Sequence, residues 1–147
     1  MRISPESILL SVCPLLTSAI PEQPPIPTTT PLPTHYGVVL FPGFQAIDVF
    51  GTLDVLNLLS MLFEQTDMEL SVLSRTLEPV TTGKYASHNL KMAESVVPTI
   101  TFEQALLPDA KEIEVLLVPG GLGTRDDVSA EIDFVRKIFP RVCGLAS

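Results

Sequence analysis

The sequence has no tryptophan, only two cysteines and two histidines, and nine lysines and arginines against seventeen acids in 147 residues. Each shortage removes a class of function. Cys13 and Cys143 stand one near each end, too few for a disulfide framework. His35 and His88 have no cysteine or histidine three or four residues away, so no metal-ligand spacing exists. The basic residues are scattered and the net charge is −8, with a pI near 4.6. Nucleic-acid binding needs clustered Lys and Arg against phosphates, and binding to a membrane surface needs a basic face, so both are excluded as expectations. No apolar run reaches the length of a membrane span.

Proline is unevenly placed. Residues 1–34 are rich in Pro and Thr and read as a disordered tail, ending in an extended polyproline-biased tether over 21–34. Residues 1–19 carry the outline of a signal peptide: Arg2, an apolar stretch over 8–16, and the small residues Thr17, Ser18 and Ala19. Glu6 and Pro14 break that outline. The expectation is therefore a cytoplasmic protein, with secretion as the alternative. The remaining chain, about 110 residues, is long enough for one core.

Residues 37–41 are an unbroken apolar run closed by Pro42-Gly43, which reads as a buried parallel strand. From Ile47 the apolar residues fall at Phe50, Leu53, Val55, Leu56, Leu59, Leu62 and Phe63, a helical spacing, with Asp48 in the first turn. Gly51 inside this helix hints at close packing or a ligand. Residues 68–73 alternate as a strand, and 79–98 read as a loose hairpin or excursion. Thr101 and Gln104 form a candidate capping box for a short helix over 101–107. Residues 115–118 are the clearest buried strand, followed by Pro119-Gly120-Gly121 and a last helix over about 126–138. Strands alternating with helices give an α/β, doubly wound, mainly parallel sheet. Both glycine turns follow carboxyl ends of strands, the edge where such sheets bind ligands.

Seven residues are candidates for chemistry, each with a plainer alternative. Gly120 and Gly121 can turn backbone N–H groups inward to hold an oxyanion, or simply make a tight turn. Asp48 can relay a proton, or compensate the helix dipole. Cys143, followed by Gly144, suits a nucleophile elbow at a strand-to-helix turn, or is an ordinary thiol. Only Arg141 and Val142 separate Pro140 from Cys143, which leaves no room for a strand of usual length before it. Tyr85, His88 and Asn89 could face a ligand from the excursion, or lie on the surface.

Residues 36–51, 96–105 and 115–125 together resemble the opening, midsection and glycine-rich loop of fungal ThiJ/PfpI proteins. The pattern is most similar to the isonitrile-hydratase-like branch. The resemblance implies a flavodoxin-like fold over 35–147, incomplete at its C-terminal side, in the class I glutamine-amidotransferase-like group. It implies cysteine-dependent hydration or hydrolysis of a small molecule, with Cys143 as the attacking thiolate. Asp48 would handle the proton or water, and Gly120 and Gly121 would stabilise charge. No cofactor or metal is implied, and the partners expected are a small-molecule ligand and a second copy in a homodimer. The alternative is a non-catalytic ligand-binding or dimerising remnant. Two departures stand out. Thr52 occupies a position usually held by proline, and the strand that would carry the elbow cysteine looks deleted after Phe139-Pro140. Unpaired strand edges would then be exposed, predicting poor solubility or partial unfolding of the chain on its own.

Overall fold

The computed structural model describes residues 33–62, 67–85, 88–142 and 144–146, all within the compact unit Leu32–Ser147. Residues 1–32, most of the Pro/Thr-rich tail with its signal-peptide outline, and Cys143 lie outside the described residues; Thr34, expected in the tail, is instead held by Glu114 at the entry to the sheet. The chain folds as an α/β sheet of five parallel strands with helices on both faces. In chain order the elements are β1 (His35–Val39), α1 (Ala46–Leu62), β2 (Glu69–Ser74), β3 (Val80–Thr81), β4 (Lys84–Tyr85), β5 (His88–Asn89), β6 (Ser95–Val96), β7 (Ile100–Thr101), α2 (Phe102–Ala105), β8 (Val115–Leu117), α3 (Ser129–Ile138) and β9 (Gly144–Ala146). The sheet order is β7-β2-β1-β8-β9. The chain therefore builds outward from β1 on one side, then returns to lay β8 on the other. The gap between β1 and β8 is the topological switch point of the sheet, which the doubly wound reading anticipates.

Two apolar clusters hold the layers. Val38, Leu40, Phe44, Val49, Val72 and Leu117 pack on the face covered by α1. Val39, Leu73, Phe102, Leu116, Phe134 and Ile138 pack on the face covered by α2 and α3, where the rings of Phe102 and Phe134 stack at 4.4 Å. Successive residues of β1 thus serve opposite faces, as strand geometry requires. Such unbroken apolar strands belong to sheets covered on both sides.

Several boundaries shift from the sequence expectation for identifiable reasons. β1 starts two residues early because its entry is pinned by Glu114, whose carboxylate accepts from the backbone N–H groups of Thr34 and His35. His35 is buried there, with Nδ1 2.7 Å from the Glu112 carbonyl and Nε2 2.8 Å from the Ser71 hydroxyl. α3 begins at Ser129 instead of 126, because a 3-10 turn over Leu122–Arg125 intervenes. Asp127 then accepts from the Ser129 N–H at 3.0 Å to start the helix. The Thr101–Gln104 capping box forms reciprocally, at 3.2 and 2.9 Å, as its sequence suggests. Residues 79–98 are a double antiparallel ribbon, β3 with β6 and β4 with β5.

Two expectations are corrected. In α1 only Val49 is fully buried, while Ile47, Val55, Leu58, Met61 and Leu62 are exposed. The helix is apolar nearly all round, so periodicity alone does not select its inner face. A strand does form near Cys143: β9 pairs in parallel with β8, Gly144 opposite Val115 and Ala146 opposite Leu117. It follows the cysteine in sequence instead of preceding it, and it covers the edge of β8 that the sequence reading leaves bare.

Across the layers, Arg75 grips Glu131 with two hydrogen bonds of 2.7 and 2.6 Å and also donates to the Asp127 carbonyl at 2.6 Å. Glu131 is buried, and Arg75 hydrogen-bonds both of its carboxylate oxygens. Replacing Arg75 with Ala is expected to destabilise the fold by about 3 kcal/mol, because it leaves a buried carboxylate uncompensated. Denaturant unfolding checks this; a loss under ~1 kcal/mol would mean that the pair carries little of the interlayer contact.

Acid should also loosen the fold. Backbone N–H bonds from His35 and Thr34 hold Glu114 below the ordinary 4.5 of a glutamate, and the Lys111 hydrogen bond lowers Glu69. The Ser129 N–H does the same for Asp127. A carboxyl whose pKa is lower in the folded state stabilises above its unfolded value and loses that contribution as pH falls through the folded one. Melting temperature should therefore fall as pH drops below about 4.5, and the acid limb should be shallower in Glu114→Gln.

Candidate functional site

The carboxyl edge of the sheet is built by backbone meeting backbone. After β1 the chain turns through Pro42-Gly43, with Gly43 at φ +79°. After β8 it turns through Gly120-Gly121, with Gly121 at φ +140°. The two turns interlock: Gln45 N–H donates to the Gly120 carbonyl at 2.8 Å, and Gly123 N–H donates to the Gly43 carbonyl at 3.1 Å. A Cβ on Gly121 would sit 2.4 Å from the Gly43 oxygen, and one on Gly123 would sit 1.8 Å from the Pro42 oxygen. Side chains cannot enter there without moving backbone, so glycine is required by contact at both positions and also by φ at Gly121. The ribbon joins the same edge, because Gly43 N–H donates to the Thr81 carbonyl at 2.8 Å.

Asp48 lies at this junction. It is in the first turn of α1, and its Oδ2 accepts a hydrogen bond from the Gly120 N–H at 2.9 Å. The structure thus brings together two of the sequence candidates from opposite sides of the switch point, 72 residues apart. The bond also engages the amide that the sequence nominates as an oxyanion donor. An oxyanion would have to compete with the Asp48 carboxylate for that N–H.

Beside the junction lies a cleft of about 190 Å³, lined by Val38, Asp48, Val49, Thr52, Leu117, Val118 and Pro119. Its walls are the carboxyl ends of β1 and β8 and the first two turns of α1. Thr52, noted in sequence only as a departure from the family pattern, joins the lining. Its hydroxyl donates to the Asp48 carbonyl at 2.8 Å, one turn back. A larger groove of about 440 Å³ lies beside α3 among Phe41, Val128, Ile132, Val135 and Phe139. Its buried acid, Glu131, is already committed to Arg75, so that groove offers less to orient a reacting group.

Cys143 lies outside the described residues. Gly144, the next described residue, pairs with Val115 at the amino end of β8, whereas Asp48 and Gly120 occupy the carboxyl edge. His88 is exposed on β5. Among the described residues no cluster of His, Cys, Asp and Glu can hold a metal ion, and no helix is long and apolar enough to cross a membrane.

No family model and no curated protein matches the sequence. Solved structures do. A regulator of the AraC family from Pseudomonas putida superimposes with a TM-score of 0.53 at 18% identity, over 76% of this chain and 55% of that one. The two chains share a fold. A ThiJ/PfpI family protein from Pseudomonas syringae matches 89% of this chain and 49% of its own length, at 20% identity and a TM-score of 0.48. The chain thus spans about half the length of the solved chains it matches.

The Asp48–Gly120 bond predicts a selective response to substitution. Asp48→Ala should leave the Gly120 N–H without its acceptor and cost about 1 kcal/mol. Asp48→Asn, which keeps an acceptor oxygen, should cost less. Hydrogen exchange at the Gly120 amide should be faster in the alanine variant than in the asparagine variant; equal rates in wild type and Asp48→Ala would mean that the bond is not made.

Proposed function

We propose that residues 35–147 are a ThiJ/PfpI-like domain whose cleft beside Asp48 receives a small molecule, with cysteine-dependent hydration or hydrolysis as its chemistry. The observation that carries this reading is the Asp48–Gly120 hydrogen bond at the switch point of the sheet. It fixes a carboxylate and a glycine turn at the edge where α/β sheets bind ligands, beside the mainly apolar walls of an open cleft. In the chemistry that the family resemblance implies, a thiolate attacks an electrophilic carbon to give a covalent adduct. Asp48 takes a proton from water, which then resolves that adduct. Gly120 and Gly121 stabilise the charge that develops, with the Gly120 N–H passing from Asp48 to the adduct.

A second reading, ligand binding or dimerisation without turnover, is favoured by one observation. β9 follows Cys143, with Gly144 already paired at the amino end of β8. An elbow nucleophile follows the strand that presents it. The net charge of −8 supports a small molecule over nucleic acid as the partner on either reading.

Alkylation of the 147-residue chain with iodoacetamide at pH 7 separates the two. The catalytic reading expects Cys143 to react at least about tenfold faster than Cys13, as a thiolate with lowered pKa would. It also expects an N-alkylformamide to accumulate from a short alkyl isonitrile, and to stop accumulating in Cys143→Ser. Equal, slow alkylation of both thiols with no product would leave binding without turnover as the function.

A further inference from the structure

The cleft beside Asp48 is polar in only one sense. Two of its lining side chains carry hydrogen-bonding groups, Asp48 and Thr52, one helical turn apart on α1. Oδ2 of Asp48 is held by the Gly120 N–H, and the carboxylate has no further partner among the described residues. The Thr52 hydroxyl spends its one hydrogen on the Asp48 carbonyl, so what it can offer a ligand is lone pairs. The nearest glycine N–H, that of Gly120, is already taken. The other lining residues are Val38, Val49, Leu117, Val118 and Pro119, whose side chains neither donate nor accept. Side chains in the cleft therefore present acceptors and no donor, and the fixed charge among them is negative.

We infer that the cleft selects a small ligand bearing an NH2 or NH3+ group on a short hydrocarbon: a primary alkylamine or primary aliphatic amide. This rests on the reading of the cleft as a ligand site and names the class it takes. The nitrogen donates to the open lone pairs of Asp48 and Thr52, and the hydrocarbon fills the apolar wall formed by Val38, Val49 and Leu117. A carboxylate of the same size meets acceptors with acceptors and a like charge, so it is rejected. Thr52 acts as a specificity residue, and Gly120 fixes the Asp48 carboxylate in place.

The test is titration of the full chain, followed by NMR shifts of the Gly120 and Thr52 amides, with n-butylammonium chloride, isobutyramide and sodium isobutyrate at constant ionic strength. Saturable shifts with the first two and none with the third are expected. Thr52→Val should weaken both binders about tenfold, and Thr52→Ser should restore them. Asp48→Asn should remove the advantage of the ammonium over the amide. Isobutyrate binding as tightly as isobutyramide, or unchanged affinities in Thr52→Val, would overturn the inference. If none of the three binds but a short alkyl isonitrile shifts the same amides, the selectivity is wrong and the ligand site stands. If the isonitrile is also silent, both readings fail.

Discussion

Two polypeptide turns meeting without side chains between them set the geometry of this fold. Gly43 on one side and Gly121 and Gly123 on the other bring the β1–α1 and β8–α3 connections into backbone contact. Two main-chain hydrogen bonds and the Asp48 carboxylate then tie them. The placement of α1, the direction in which β8 leaves the sheet and the depth of the adjacent cleft all follow from that junction. It sits at the point where strand order reverses, where neighbouring connections diverge to opposite faces and leave a gap. A carboxylate in the first turn of α1 suits that gap twice over. It complements the helix dipole and accepts the one amide that the opposite turn points toward it.

The same junction explains why the structural and chemical readings of Asp48 need not compete. A carboxylate with one oxygen anchored and further lone pairs open is held in a fixed orientation without being used up. Anchoring by a backbone amide costs little reorganisation, because the amide is itself fixed by its neighbours. The cleft walls come from two inner strands, β1 and β8, and from the start of α1, so the groups that would meet a ligand are mounted on regular structure instead of on loops.

Much of this was legible in the sequence where local chemistry decides the outcome. The apolar run ending at Pro119-Gly120-Gly121 announced β8 and its turn, and the Thr101–Gln104 pair announced the start of α2. Asp48 and Gly120 could be placed on one rim from strand and turn order alone. Their direct bond could not, because it depends on register between segments 72 residues apart. Thr52 escaped notice as a site residue because a threonine one turn into a helix carries no signal until the cleft beside it is seen. The inner face of α1 was illegible for a different reason: with leucines on nearly every side, burial is decided by the sheet it lands on. β9 was missed because three residues after a cysteine and a glycine are too few to read as a strand, and only pairing with β8 makes them one. The pinning of β1 by Glu114 and the burial of His35 are likewise products of tertiary contact.

The central claim is that the Asp48 carboxylate holds the Gly120 amide across the switch point of the sheet. A hydrogen bond from an amide to a carboxylate carries a small scalar coupling between the amide nitrogen and the carboxylate carbon. Measuring that coupling between the Gly120 nitrogen and the Asp48 side-chain carbon therefore reads the bond directly, with the Gln45 N–H to Gly120 carbonyl bond as its control. The account predicts a resolved coupling from Gly120 to Asp48. No coupling there, while the Gln45–Gly120 control gives one, would contradict it.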